Sequence, residues 1–247
     1  MRRRVNNAFL TSDGMTDKIL KKVEYTSLNG GRITARERII KETSLEILVN
    51  NEHVATAMIT ATMEKEFTAG YLFTQGIIGG AADIESINIK EGFAEVTTRG
   101  NTKTGPKNKM VDSKLTVRKE DIFDCVRAIL KSEIFDETEA VHSAGLFRNG
   151  SEPVCIAEDL GRHNALDKVV GFGLLNGIDF GEMLAASTGR QPSEMIHKCI
   201  NAGIPIIATK GVPTSKAVEL AKRANISIAG LVRGDTMIIY SMQARII

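Results

Sequence analysis

A chain of 247 residues has room for one large domain or two small ones, and 43% apolar with 25% charged residues is the composition of an ordinary soluble globular protein. No stretch nears the roughly 18 consecutive apolar residues of a membrane span, and a formal charge of +2 leaves no footprint for wrapping duplex nucleic acid. Cys125, Cys155 and Cys199 lie too far apart for a CxxC metal site or a disulfide framework, and no apolar segment follows Met1-Arg2-Arg3-Arg4, so an unsecreted cytoplasmic protein with reduced thiols and no structural metal is expected.

From about Arg32 to Thr62 the chain is rich in β-branched residues. Leu45–Val49 and Val54–Ile59 around Asn50-Asn51-Glu52 read as two strands and a turn. Phe67, Gly70, Tyr71 and Phe73 change the period to a short helix within Glu64–Gly76, and Glu85–Ile89 with Phe93–Thr98 alternate as a second hairpin. Residues 1–112 therefore read as a small β-rich α+β domain. Its last stretch, Arg99–Asp112, carries four basic and one acidic side chain with Gly and Pro, the composition of a mobile loop.

Ile122, Val126, Ile129 and Leu130 then repeat at helical spacing, with Cys125 on the same face as a buried thiol. A regular alternation follows: strands at Val154–Ala157, Met183–Ser187, Ile204–Ala208 and Ile226–Val232, helices at Asn164–Leu175, Pro192–Asn201 and Thr214–Ala224. This predicts a largely parallel α/β layer over 113–247, closed by an antiparallel strand at Met237–Tyr240.

Three strand-to-helix turns carry the same chemistry: Asp159-Leu160-Gly161-Arg162-His163-Asn164, Ser187-Thr188-Gly189-Arg190, and Thr209-Lys210-Gly211-Val212-Pro213-Thr214-Ser215. Each sets a glycine, a small polar side chain and a cation at a helix start. In a parallel layer such turns gather at one sheet edge, where free helix amides bind anions, so a phosphate-bearing ligand is the natural guest. Helix capping accounts for any one turn taken alone. His163 and Asp167, four apart, either form an acid/base pair or a capping or surface pair. Glu158-Asp159 receives a ribose hydroxyl or pairs with Arg162. His142 reads as a structural histidine, and His53 and His197 as surface residues. The HxE and PCxxC of a zinc deaminase are absent, as are the P-loop and the GxGxxG fingerprint.

The segments EDLGRHNALDKVVG (158–171), STGRQPSEM (187–195), GIPIIATKGVPTSKAVELA (203–221) and GLVRGDTMIIY (230–240) resemble the FdhD family of formate dehydrogenase accessory proteins. LVNNEHVATAMIT (48–60) and AGYLFTQGII (69–78) resemble the family's first domain. The resemblance implies a cytidine-deaminase-like three-layer α/β domain without zinc. It further implies a carrier that moves persulfide sulfur from a cysteine desulfurase to the molybdenum bis(molybdopterin guanine dinucleotide) cofactor before that cofactor enters formate dehydrogenase. Leu231, Val232, Arg233, Gly234, Asp235 and Thr236 match the family's guanine-nucleotide stretch; as residues alone they read as a solvent-facing turn. A homodimer is expected, because a large cofactor is often bridged by two copies.

The chain departs from the family at its sulfur-carrying CGxCG loop, where Thr104 and Lys107 occupy the cysteine positions. A hydroxyl or ammonium cannot hold a persulfide. The family's TGG before the histidine corresponds to Thr138-Glu139-Ala140, and its SAPTS to residues 211–215. Three readings follow: sulfur transfer through another cysteine, cofactor or nucleotide binding without sulfur transfer, or a small-molecule activity using His163 and Asp167 with Arg162, Arg190 and Arg233 as anion clamps.

Overall fold

The computed structural model describes residues 17–28, 31–100 and 109–247; Thr104 and Lys107 lie outside the described residues. The chain opens with an antiparallel ribbon of β1 (Leu20–Ser27) and β2 (Ile33–Ile40), exposed along most of its length. The hydrophobic pattern does not reveal β1, because LKKVEYTS buries only Leu20 and so lacks the alternation that marks a half-buried strand.

β3 (Thr43–Val49), β4 (Glu52–Ile59), β5 (Ile84–Lys90) and β6 (Phe93–Thr98) form a second sheet in the order β4-β3-β6-β5. Both expected hairpins are present. Asn50 and Asn51 take φ of 51° and 68°, a left-handed turn that asparagine tolerates better than most residues. The expected short helix is α1 (Glu64–Thr74), whose Phe67 and Leu72 are fully buried in the same core as Ile47 and Ala94.

The third sheet has six strands: β7 (His142–Arg148), β8 (Glu152–Asp159), β9 (Met183–Ser187), β10 (Ile206–Thr209), β11 (Ser227–Arg233) and β12 (Thr236–Ser241). Their order is β12-β11-β10-β9-β7-β8, with β9, β10 and β11 parallel and β7 antiparallel to both neighbours. Alternation sorts the two faces. Leu184 and Ala186 join the cluster of α2 (Lys119–Ile129), while Met183 and Ala185 join that of α4 (Arg162–Leu175), α5 (Ser193–Ala202) and α6 (Ser215–Ala224). A short α3 (Glu133–Thr138) precedes β7. One expectation is corrected. The strand that carries Cys155, expected within the largely parallel layer, lies at its edge, because the β7–β8 hairpin inserts β7 beside β9.

The two halves of the chain share one apolar core, which runs from Leu45 and Phe67 through Leu166 and Val169 to Ile228. α1 crosses α4 at Gly70 and Gly171. A Cβ on either glycine would come within 2.8 Å of the other's backbone nitrogen, so only glycine lets the helices approach this closely.

Candidate functional site

β8 and β9 are both antiparallel to β7, so β8, β9, β10 and β11 all point their carboxyl ends to one edge. The three glycine turns meet there as the sequence predicts. Gly189 is their hub: its carbonyl accepts the Thr209 hydroxyl at 2.6 Å and the Gln191 amide at 3.1 Å. A Cβ on Gly211 would lie 2.9 Å from that same carbonyl oxygen, and the Leu231 N–H donates to the Gly211 carbonyl at 2.8 Å. The turns after β9 and β10 are thus stacked backbone on backbone, with Leu231 of β11 bonded to the second.

A cavity of about 580 Å³ opens at this edge. The sheet edge contributes Thr188, Lys210, Gly211 and Arg233, and α3 with its following turn contributes Phe135, Asp136 and Glu139. His142 also lines it, with Nδ1 at 3.2 Å from Thr188 Oγ1; burial and, to a lesser extent, the nearby Arg162 lower its pKa. Ser132 and Ser143 line the wall, and behind them the buried Glu158 accepts the Ser143 hydroxyl at 3.2 Å. Burial raises the Glu158 carboxyl pKa against the lowering effect of the Ser132 and Ser143 hydrogen bonds. The cavity can therefore hold an anion by Lys210 and Arg233 and accept hydrogen bonds through its carboxylates.

The remaining candidate residues separate by role. Arg162 lays its side chain over Gly189, and its Nε and the His163 Nε2 are buried without a hydrogen-bond partner. Burial, reinforced by Arg162 and Lys198, lowers the His163 pKa to about 4. Asn164 ties α4 to β4 through the Met58 carbonyl at 2.8 Å and to Asp159 at 2.8 Å, which is a structural role. Thr214 caps α6 by accepting from the Ala217 N–H at 3.3 Å, and Ser215 and Arg190 are exposed outside the cavity wall. Within 231–236 only Arg233 lines the cavity. Leu231 holds φ of 51°, Val232 is in the core, Gly234 makes the β11–β12 turn with φ of 58°, and Asp235 and Thr236 face a separate cavity with Phe123.

Two readings are corrected. Asp167 does not orient His163: its carboxylate is bound by Lys198 Nζ at 2.7 and 2.8 Å and by the Thr74 hydroxyl at 2.6 Å, since α4 turns it inward toward α1 and α5. Asp159 pairs not with Arg162 but with Lys168 Nζ at 2.7 Å, both side chains fully buried. Lys168 also donates to the Thr60 and Glu158 carbonyls, each at 3.0 Å, which clasps β4 to β8. The sequence reading missed both lysines because LDKVV and IHKCI look like ordinary helix segments with one solvated cation.

Cys125, Cys155 and Cys199 are all buried. Burial raises each thiol pKa, to about 12 for Cys155 and Cys199. Reasoning from sequence also missed α3, whose wall residues Phe135, Asp136 and Glu139 belong to the cavity. The available clue was Ser132 as N-cap, which accepts the Phe135 N–H at 2.8 Å.

Known proteins match this architecture throughout. The FdhD/NarQ family model matches residues 40–111 and 100–247. The sulfur carrier protein FdhD of Methanothermobacter thermautotrophicus is 30% identical over 93% of this chain and 99% of its own, and the protein FdhD of Methanocaldococcus jannaschii is 30% identical over 90% and 97%. A crystal structure assigned as a formate dehydrogenase accessory protein, from Desulfotalea psychrophila, superposes with a TM-score of 0.82 at 30% identity, covering 93% of this chain and all of that one. With both of its larger sheets and all three glycine turns inside the matched region, the chain belongs to the FdhD/NarQ family.

Proposed function

We propose that this protein is an accessory factor for formate dehydrogenase that binds the molybdenum bis(molybdopterin guanine dinucleotide) cofactor by one of its nucleotide ends. The single observation that carries this reading is the cavity at the carboxyl edge of β9, β10 and β11, where Lys210 and Arg233 stand beside the Gly211 backbone. A guanine nucleotide brings phosphates to those two cations, which is the usual placement of an anionic ligand in an α/β layer. The relatives named as sulfur carriers and the neighbour named as a formate dehydrogenase accessory protein support a place in that enzyme's maturation; in this reading the partners are a cysteine desulfurase and formate dehydrogenase, in the cytoplasm. In this reading the six-stranded sheet and its helices are the cytidine-deaminase-like unit of the family, residues 113–247, and two copies of the chain act as a homodimer around the cofactor.

A specific observation favours a second reading, in which the chain holds the cofactor without carrying sulfur on a cysteine. All three thiols are buried with raised pKa, and persulfide chemistry needs an accessible thiolate. Expression in cells lacking their own accessory protein separates the readings. Restored formate dehydrogenase activity that is lost in the Lys210→Ala/Arg233→Ala double variant supports cofactor binding, and restoration that persists in a variant with all three cysteines replaced by alanine favours the second form. No restoration by the folded wild-type chain refutes the accessory function.

A further inference from the structure

A groove of about 330 Å³ lies between α5 and α6 and shares no lining residue with the cavity at the sheet edge. Ile200 of α5 and Leu220 of α6 supply its apolar floor, and Met110 stands beside them 64% exposed. Lys109, Lys216 and Arg223 line the same groove, all three exposed. Among the described residues no carboxylate lines it, and none of the three cations forms a salt bridge. In a chain whose charges nearly cancel, at 32 basic against 30 acidic residues, three unpaired cations around an apolar floor are a local excess. Lys216, Leu220 and Arg223 are four and three residues apart, so they follow one another along a single face of α6. At 1.5 Å of rise per residue the two cations stand about 10 Å apart along the helix axis, with the leucine between them.

We propose that this groove docks an acidic amphipathic helix of a partner protein, one that presents a large apolar side chain with a carboxylate three or four residues to either side. Such a helix repeats the spacing of α6 in complementary form. Its carboxylates meet Lys216 and Arg223 while its apolar side chain enters between Leu220 and Ile200, and Lys109 adds a third cation at the rim. The chain's own segments outside the described residues have the wrong charge for this role. Residues 1–16 hold Arg2, Arg3 and Arg4 against one acid, Asp13, and residues 101–108 hold Lys103 and Lys107 and no acid. A bilayer meets convex surfaces, whereas this site is a recess between two helices. A nucleic-acid backbone would pair the cations but leave Ile200, Leu220 and Met110 uncovered.

Selection from a displayed library of random peptides about 15 residues long, some four turns of helix, tests this on the immobilised chain. Recovered peptides are then titrated by fluorescence anisotropy. They should carry an apolar residue flanked at three or four positions by Asp or Glu. Their affinity should fall at least about tenfold in Lys216→Glu/Arg223→Glu, where like charges now face each other across the interface. Synthetic versions with the flanking acids changed to lysine should reverse the order and bind the double variant better than the wild type, a result that loss of folding cannot produce. Failure to recover any peptide whose affinity depends on Lys216 and Arg223 overturns the proposal, and so does failure of the charge reversal. Tighter binding of phosphatidylserine vesicles or of single-stranded RNA than of any peptide, with the same dependence on the two cations, also overturns it and gives the groove to a lipid surface or a nucleic acid.

Discussion

Lys198 Nζ donates to both carboxylate oxygens of Asp167, at 2.7 and 2.8 Å, with the two side chains 4% and 1% exposed. The Thr74 hydroxyl completes the carboxylate's shell at 2.6 Å, so helices α1, α4 and α5 converge on one charge. Removing the cation alone strands a buried carboxylate, which in comparable sites costs about 3–5 kcal/mol. Lys198→Met should lower the unfolding free energy by that amount in urea titration, and Lys198→Met/Asp167→Leu should recover most of it. A single variant as stable as the wild type would mean that water already reaches the pair.

The glycine crossing beneath that ion pair sets a second expectation. In Gly171→Ala the new methyl would meet the Glu66 carbonyl and come within 2.7 Å of the Gly70 nitrogen, both backbone atoms that cannot swing aside. Overpacking against backbone belongs at the costly end of such changes, about 3 kcal/mol, or about 6–12 °C in Tm for a chain of this size. Thermal denaturation of Gly171→Ala beside Gly177→Ala checks this. At Gly177 nothing lies within 4 Å and the cost is limited to strain at φ of 63°, so the crossing predicts a larger Tm loss at 171.

Most of the fold could be read from the chain because its strands and helices announce themselves by period. Met183–Ser187 is uninterrupted apolar until its final serine, and Thr214 and Gly203 mark a helix start and a helix end. The gathering of the Gly189 and Gly211 turns was also legible, since parallel strands leave their carboxyl ends no other place. What escaped was decided by tertiary packing. Lys168 and Lys198 look like surface residues until β4 and α1 close over them, and Asp167 sits at the right spacing for His163 while pointing the other way. Phe135 and Asp136 escaped because a six-residue helix has too few turns to show a periodic face.

His163 gives the fold a pH dependence of defined sign. Its folded pKa of about 4 lies below the ordinary value of 6.5, so the unfolded chain binds the extra proton more readily between those values. The contribution is complete above about pH 6.5 and is lost as pH falls toward 4. His163→Gln should therefore flatten the fall in urea midpoint between pH 7 and 4.5 relative to the wild type, other titrating groups being common to both. Parallel curves would place the imidazole in contact with solvent in the folded state.

The cations at the sheet edge are not equivalent. Arg233 and Lys210 line the cavity, while Arg190 is exposed outside it. Pyrophosphate affinity should fall about tenfold in Arg233→Ala and in Lys210→Ala, the loss expected for a charge-assisted contact, and less than about twofold in Arg190→Ala. Raising the salt from low to physiological strength should narrow these differences. An Arg190→Ala effect equal to that of Arg233→Ala would move the anion site toward the start of α5.

The thiols offer the most direct test of sulfur chemistry. Cys125 lies in the α2 cluster with Sγ 3.0 Å from the Gly150 carbonyl, Cys155 is on β8 beneath α4, and Cys199 is fully buried on α5. Burial penalises the thiolate in all three, and the nearby Lys198 charge offsets only part of that penalty at Cys199. Because the thiolate is the reacting species, native protein at pH 8 should resist iodoacetamide and persulfide donors for as long as it stays folded, and all three sites should label at once in urea. Intact-protein mass spectrometry reads both results, and loss of any added sulfur on reduction distinguishes persulfide from alkylation. A single reducible sulfur on the folded chain, abolished by one cysteine-to-alanine change, would identify a carrier thiol and show that one of these helices or strands opens to solvent.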